Sequence, residues 1–508
     1  MYWSKIATTE AEFDAIAALN YETFVEEIPQ HEPNSARRLI DKFHEENVYL
    51  IVYKNTEIVG MVAFRDARPF SLDQKIGDVE KHLDKELCHY LCELRLLAVK
   101  KAHRNGRVFT KLATSIYRYS YDKGYSACVI SGTVREEKLY TQMGFRQFAP
   151  PVGTEEALYL PMVLTREASR GFRERLREQN NIFYPGPVAL EKQLEHSTLS
   201  HRSEKFQQDL KQMKAQLLNL AQTNVVIPLV GTGTLANDAM LGQLKSEFNE
   251  ERGLILVNGE FGNRLAKQAK QWGLQIEMME FGWGQPFELE QIEQKLQLQT
   301  YRYMLFVHGE TSNSTINPLE RLIVLGKRYN IKLCADCISS FGATSFSMAN
   351  LHYATAVSGK ALGTVAGLSF VFCKEAPTNS NAPMYLNLPY YIEKEIPFTL
   401  PHNFVMAVNE ALNAYPKRFA LLQKRIEDVR NSEFASLLVG EAYPMIATIQ
   451  HLKMAEIIAI CGLNGYLLHS ASDYLKHRQL AQISTIQPNF EKDFKKISEL
   501  FHYVKETL

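Results

Sequence analysis

The chain has 508 residues, more than one hydrophobic core accommodates, so two to three domains are expected. Its 57 Lys+Arg balance 57 Asp+Glu, which excludes a net field that would gather nucleic acid or an anionic membrane. Seven cysteines without repeated spacing exclude a disulfide framework and fit a reducing compartment, so cytoplasmic is the expected location. Cys334 and Cys337 form one CxxC, but with no second pair they read as small core residues rather than metal ligands, and no metal is expected. The opening MYWSKIATTEAEFDAI has no apolar leader core, and no apolar run is long enough to cross a bilayer.

Residues 1–165 read as one α/β domain. Helical spacing runs from Ala11 to Asn20, and a polar amphipathic helix is expected from Asn34 to Glu46. Two strands, Val48–Tyr53 and Ile58–Phe64, flank a hairpin turn. A third strand, Cys92–Val99, runs into the basic turn Lys100–Arg107, a helix from Val108 to Lys123 and a capping Gly124. A strand at Ser126–Ser131 and a short helix at Glu137–Met143, stopped by Gly144, complete the domain. Residues 166–180 are charged and read as a linker helix, whose interleaved glutamates argue against a nucleic-acid patch.

From residue 181 the pattern changes to strand–helix alternation. This predicts a large domain over 181–425, mostly parallel α/β, followed by a small α+β domain over 426–508. Phe206–Gln222 is a helix. Val225–Val230 is a strand opening into Gly231-Thr232-Gly233-Thr234 and a helix through Leu244. Strands at Leu254–Asn258, Met304–His308 and Ile331–Ala335 follow, the last ending in Asp336. Glu375–Pro383 is expected to be a mobile loop.

In a parallel sheet, ligands bind where strands end. Four such ends carry matched chemistry. Gly231–Thr234 offers backbone N–H groups, hydroxyls and a helix N-terminus to one anion. Phe261 offers a flat apolar cover, and Thr311 and Ser312 offer hydroxyls. Asp336 offers a carboxylate to a protonated ring nitrogen, and Lys360 an amine to an aldehyde. Together these are the needs of pyridoxal 5'-phosphate.

The motifs carry two family resemblances. Residues 1–165 resemble the GNAT acyltransferases, in which a strand ends in a splayed turn that holds the pyrophosphate of acyl-CoA. Arg104-Asn105-Gly106-Arg107-Val108-Phe109 stands at that turn, with Arg107 and Phe109 where the family has small residues. The resemblance implies an acyl-donor site at Arg104, Gly106 and Arg107. In Leu139-Tyr140-Thr141-Gln142-Met143-Gly144-Phe145 it implies that Tyr140 protonates the leaving thiolate, and it makes Glu93 the candidate base. The altered turn also suits a thioester on an acyl carrier protein.

Residues 181–420 resemble the class V, fold-type I aminotransferases, nearest the 2-aminoethylphosphonate–pyruvate and alanine–glyoxylate branch. The carrying motifs are Tyr184-Pro-Gly-Pro-Val188, Ser200-His-Arg-Ser203, Gly231-Thr-Gly-Thr234, Asn258-Gly-Glu-Phe-Gly262, His308-Gly-Glu-Thr-Ser312, Asp336-Cys-Ile-Ser-Ser-Phe-Gly342 and Gly359-Lys360. The resemblance implies Lys360 and Asp336 as catalytic residues. It implies cofactor contacts from Thr232, Gly233, Thr234, Phe261, Ser312 and Ile338, and from Thr399 across a homodimer interface. Arg478 is the candidate for the substrate carboxylate, and relatives often carry Asn or Gln where this chain has Gly359. The expected function is a transaminase working on a small amine and a keto acid, fused to an N-acyltransferase acting on a related amine. The alternative is a pyridoxal-phosphate lyase or desulfurase, with the first domain a non-catalytic binding module.

Overall fold

The computed structural model describes residues 1–507 apart from 29, 155, 156, 191–193 and 195. The chain forms two compact units. One comprises Met1–Ile182, Ala455–Leu467 and Lys496–Leu508, and the other Phe183–Met454 and Leu468–Lys495. This differs from the sequence expectation in two respects. The charged 166–180 segment belongs to the first unit, and the expected small domain over 426–508 is shared between the two.

The first unit is built on an eight-stranded sheet. Its strands are β1 (Tyr2–Ile6), β2 (Val48–Lys54), β3 (Glu57–Arg65), β4 (Leu91–Val99), β5 (Ala127–Thr133), β6 (Arg146–Gln147), β7 (Val152–Thr154) and β8 (Ala157–Thr165). The order is β1-β2-β3-β4-β5-β8-β6, with β7 paired to β8. Only β4 and β5 run parallel among the described pairs of this sheet, with registry from Leu91↔Ala127 to Leu94↔Ile130. Beyond Leu94 the two strands part. Leu96 has φ 54°, and the β3–β4 ladder shifts register there, so the extra residue bends β4 away from β5.

The helices of this unit are α1 (Glu10–Tyr21), α2 (Arg107–Ser120), α3 (Glu137–Gln142) and α4 (Arg170–Glu178). A capping box starts α1: Thr9 Oγ1 accepts from Glu12 N while Glu12 accepts from Thr9 N. The helix expected at Asn34–Glu46 is not formed. The chain there is irregular, apart from one 3-10 turn at His44–Glu46. The Asn34 side chain bonds both backbone groups of Arg38, and Asp41 accepts from Phe43 N and from the Asn47 side chain. These short-range bonds replace the helical ladder.

The second unit holds a seven-stranded sheet of β9 (Val225–Val230), β10 (Gly253–Val257), β11 (Ile276–Glu280), β12 (Tyr303–Val307), β13 (Lys332–Asp336), β14 (Tyr353–Val357) and β15 (Leu368–Cys373), in the order β9-β15-β14-β13-β12-β10-β11. Of these, β15 alone runs against its neighbours. Both faces are buried. Met304 and Phe306 of β12 enter one core, while Tyr303, Leu305 and Val307 enter the other. That is why the strands read as continuous apolar runs. Helix α5 (Gly233–Phe248) follows β9, α6 (Glu260–Gln271) follows β10, and the long α7 (His402–Arg430) leads to the small sheet β16 (Leu438–Tyr443), β17 (Ile446–Gln450) and β18 (Leu480–Ser484). The Glu375–Pro383 segment is a loop, but one tied to α5: Gln243 Nε2 donates to Asn379 O, and Asn381 N to Ser246 Oγ.

Helix α8 (Met454–Leu463) starts the segment that returns to the first unit. There Asn464 brackets Ser4 of β1, accepting from its N–H at 3.1 Å and donating to its carbonyl at 2.8 Å. Lys5, fully buried, pairs with Glu12 at 3.0 Å and with Glu456 at 2.9 Å. β1 is the end strand of its sheet, and this segment satisfies backbone groups that an open edge would expose.

Candidate active site

Asp336 ends β13 at the centre of the seven-stranded sheet and is buried. Its Oδ2 accepts from Asn237 Nδ2 at 2.8 Å and its Oδ1 from Ile338 N at 2.9 Å. Thr355 on β14 fixes the Asn237 amide through a 2.6 Å bond from its hydroxyl. Burial pushes the Asp336 carboxyl up from the usual range, against these donors and the charges of Lys360 and Arg264. A buried carboxyl in that position is stabilised as an anion when a cation is placed beside it.

Lys360 faces the same space. Burial pushes its amine down to about 8, although Asp336 and Glu310 pull the other way. The loop that carries it is locked on several sides. Ser358 Oγ donates to Val365 O and Leu368 O, and Thr364 Oγ1 to Ala407 O. Arg418 of α7 reaches Ala361 O and lies over Gly363, whose φ is 79°. A Cβ at Gly359 would stand 2.7 Å from Ala366 Cα. Glycine at 359 therefore follows from this backbone approach, and an Asn or Gln there needs the loop to move.

Between these two groups lies a cavity of about 170 Å³, and Gly233, Thr234, Phe261, Ile338, Asp336 and Lys360 all line it. The α5 N-terminus meets it at Gly233, where a Cβ would strike Ile338 and Val357. Phe261 sits on the first turn of α6, with Lys360 Nζ 5.5 Å from its ring centre. The residues present fit pyridoxal phosphate: a glycine-built helix N-terminus for the phosphate, an aromatic face, a buried acid for the ring nitrogen and a desolvated amine.

Three other expected contacts, Thr232, Ser312 and Arg478, fall elsewhere. Thr232 caps α5 without lining the cavity. Ser312 turns its hydroxyl to Glu310 at 2.5 Å and accepts from Glu260 N at 3.0 Å, leaving the cavity wall to Thr311. Thr399, expected to serve the site of a second copy, is exposed in this chain. Arg478 is also exposed, stacked 3.8 Å over the Trp283 ring and donating to Tyr474 O.

Sequence reasoning missed Asn237, Arg264 and Gln268 in the lining. Each lies one or two helical turns beyond a residue it did find, on the same face. It also missed what Glu310 does. This fully buried carboxyl accepts from Phe261 N, Gly262 N and Ser312 N, so it caps the helix that carries the stacking ring.

In the first unit, Tyr140 packs against Gly132 where β4 and β5 part, and burial pushes its phenol up, so it is protonated near neutral pH. Glu93 is not placed as a base. It is fully buried and accepts from Ser71 N, Ser71 Oγ and Leu72 N, which makes it the anchor of the 71–72 loop. Gly106 has φ 81° and starts α2, but Asn105 Oδ1 already accepts from Arg107 N. Arg104 pairs with Glu27 at 2.6 Å, while Arg107 is exposed. A mostly apolar cavity of about 70 Å³ in this unit is lined by Leu94, Ile116, Tyr117, Phe145 and Leu164 among others, and by none of Arg104, Gly106, Arg107 and Tyr140.

Residues 189–387 match the Aminotransferase class-V family and residues 19–114 the Acetyltransferase (GNAT) domain family. The chain joins a GNAT domain to a class V aminotransferase domain. The 2-aminoethylphosphonate–pyruvate transaminase of Pseudomonas aeruginosa is 29% identical over 43% of this chain and 61% of its own length. That of Pseudomonas putida is 32% identical over 39% of this chain and 57% of its own length. The chain thus spans about three fifths of these curated relatives. Among solved structures, the alanine–glyoxylate aminotransferase of Nostoc aligns with TM-score 0.57 at 21% identity, over 64% of this chain and 94% of that one. The aspartate aminotransferase of Thermus thermophilus aligns with TM-score 0.56 at 23% identity, over 64% and 99%. These two establish the fold-type I architecture of the aminotransferase domain. Among the described residues, no helix is long and apolar enough to cross a membrane.

Proposed function

We propose that the aminotransferase domain is a transaminase that moves an amino group between a small amine or amino acid, of the 2-aminoethylphosphonate kind, and a keto acid such as pyruvate. The observation that carries this reading is Lys360 facing Asp336 across one cavity with Phe261 on its wall. When bound there, pyridoxal phosphate supplies an electron sink for the carbon that bears the amino group. Asp336 holds the ring nitrogen protonated, and Phe261 excludes water from one face. Lys360 Nζ, with its proton affinity lowered by burial, would take the proton from the substrate carbon and deliver it to the aldehyde-derived carbon of the cofactor. Lys360→Ala should abolish the visible absorption of the lysine-bound cofactor, and an unchanged spectrum would sink the assignment. A screen of amino donors, read as the shift from the pyridoxal to the pyridoxamine form, then names the substrate class. The desulfurase reading gains no support, because none of the free cysteines lines the cavity, and burial pushes the Cys461 thiol up to about 12.

The GNAT domain is assigned N-acyltransfer to a related amine, with Tyr140 as proton donor to the leaving thiolate. Acyl-CoA or an acyl-carrier-protein thioester is the donor. The test incubates the full chain with candidate amines and each thioester. Thiol release supports the reading, and its absence with every donor makes this domain a binding module. Thr399, exposed in its own subunit, is assigned to the cofactor phosphate of a second copy, so the active form is a homodimer.

A further inference from the structure

We propose that Arg264 is the residue that binds the acidic group of the aminotransferase domain's substrates, a role the sequence offered to Arg478. The proposal rests on the transaminase reading and names its specificity determinant.

Three observations carry it. Lys360 and Arg264 are the cations among the described residues lining the cavity, and Lys360 is committed to the reacting carbon. Arg264 is the fifth residue of α6, one turn beyond Phe261, with its guanidinium carbon 4.8 Å from the Phe261 ring centre. A planar guanidinium laid on an aromatic face keeps its N–H edge free and fixed in orientation, which suits an oxyanion. No ion pair or hydrogen bond to another described residue engages Arg264, although its charge lowers the proton affinity of both Asp336 and Lys360. It is an unpaired guanidinium close to the reacting groups.

The competing positions are closed. Arg478 is stacked on Trp283 and bonded to Tyr474 O, away from the lining. On β18, the buried polar side chain that reaches the cavity loop is Gln482, which donates to Thr311 O at 2.7 Å and to Thr448 Oγ1 at 3.0 Å. It is neutral and cannot neutralise an acid. The cofactor phosphate has its own seat at the α5 N-terminus, on Gly233 and Thr234, so Arg264 remains for the second anion. Substrates that carry a carboxylate or a phosphonate beyond the amino carbon meet this guanidinium through two parallel N–H···O bonds.

The test uses the full-length holoprotein with Arg264→Gln and Arg264→Lys. Maleate and methylphosphonate, unreactive anions of the two chemistries, are titrated by calorimetry, and cofactor retention is read from visible absorbance. Arg264→Gln should weaken binding of one or both anions by roughly tenfold or more, the scale of a charge-assisted hydrogen bond. Arg264→Lys should recover part of it, and cofactor retention should persist. Acidic donors should also lose their kcat/KM advantage over 1-aminopropane by a similar factor. Unchanged anion binding in Arg264→Gln overturns the proposal. So does loss of cofactor retention with the anion affinities unchanged, because it moves the guanidinium to the phosphate. If no donor converts the cofactor in the parent protein, the transaminase reading fails while the calorimetry still decides Arg264.

Discussion

At the scale of single residues, the cavity sets Lys360 against its surroundings. Burial lowers its folded pKa to about 8 from 10.5. Between those values the unfolded chain binds the proton and the folded one does not, so this residue makes stability rise with pH across that window. Below about pH 8 its penalty is fully present. The apoprotein of Lys360→Met should therefore be more stable than its parent at pH 7, with the advantage shrinking as pH approaches 10.5, as measured by urea unfolding. The rate at which apoprotein recaptures pyridoxal phosphate should rise with pH through about 8, because only the neutral amine attacks the aldehyde. A flat profile between pH 7 and 9 would contradict the assigned burial. Gly359 makes a steric prediction. Gly359→Asn, the residue relatives often carry, forces Ala366 to move and should slow cofactor recapture rather than improve it, in the same stopped-flow assay.

At the scale of elements, helix α6 shows how much of the site could be read in advance. The sequence marks Phe261 because it follows a strand end and a glycine. It does not mark Arg264 or Glu310, whose roles depend on which face of α6 turns inward and on a carboxyl contributed by another loop. The strand end offers the hydroxyls of both Thr311 and Ser312, and the family resemblance points to Ser312. Only the bond it makes to Glu310 shows why Thr311 takes that wall. The strands of the second sheet were legible because they are apolar on both faces. The 34–46 segment was misread because polar periodicity does not reveal that Asn34 and Asp41 bond their own neighbourhood. Glu310→Gln retains a carbonyl acceptor but loses the negative charge at the helix N-terminus and places an amide among three N–H donors. It should cost about 1–3 kcal/mol in stability and weaken cofactor retention, read by thermal unfolding with and without added pyridoxal phosphate. An effect on neither measurement would show that Phe261 is held by other means.

At the scale of the whole molecule, composition excluded much and placed little. It predicted two or three domains, and charge composition marked 166–180 as a linker, whereas the first unit runs on to Ile182. What could not be read was the return. Nothing in the apolar run of Met454–Leu463 says which sheet it will close. The consequence is testable by truncation. A chain ending at residue 182 lacks Asn464 and Glu456, leaving the β1 edge open and the buried ammonium of Lys5 with one partner. Such a fragment should be protease-sensitive and show a broadened thermal transition. A sharply melting, resistant fragment would show that the returning segment is dispensable.

The Asn464 bracket on Ser4 also has a temporal meaning. During synthesis most domains can fold as soon as they emerge, in order from the N-terminus. Here the first strand waits for a side chain made 460 positions later. The ribosome must therefore produce the aminotransferase domain before the GNAT domain can be finished. A stalled or prematurely stopped translation product would leave the GNAT domain without the segment that closes its β1 edge.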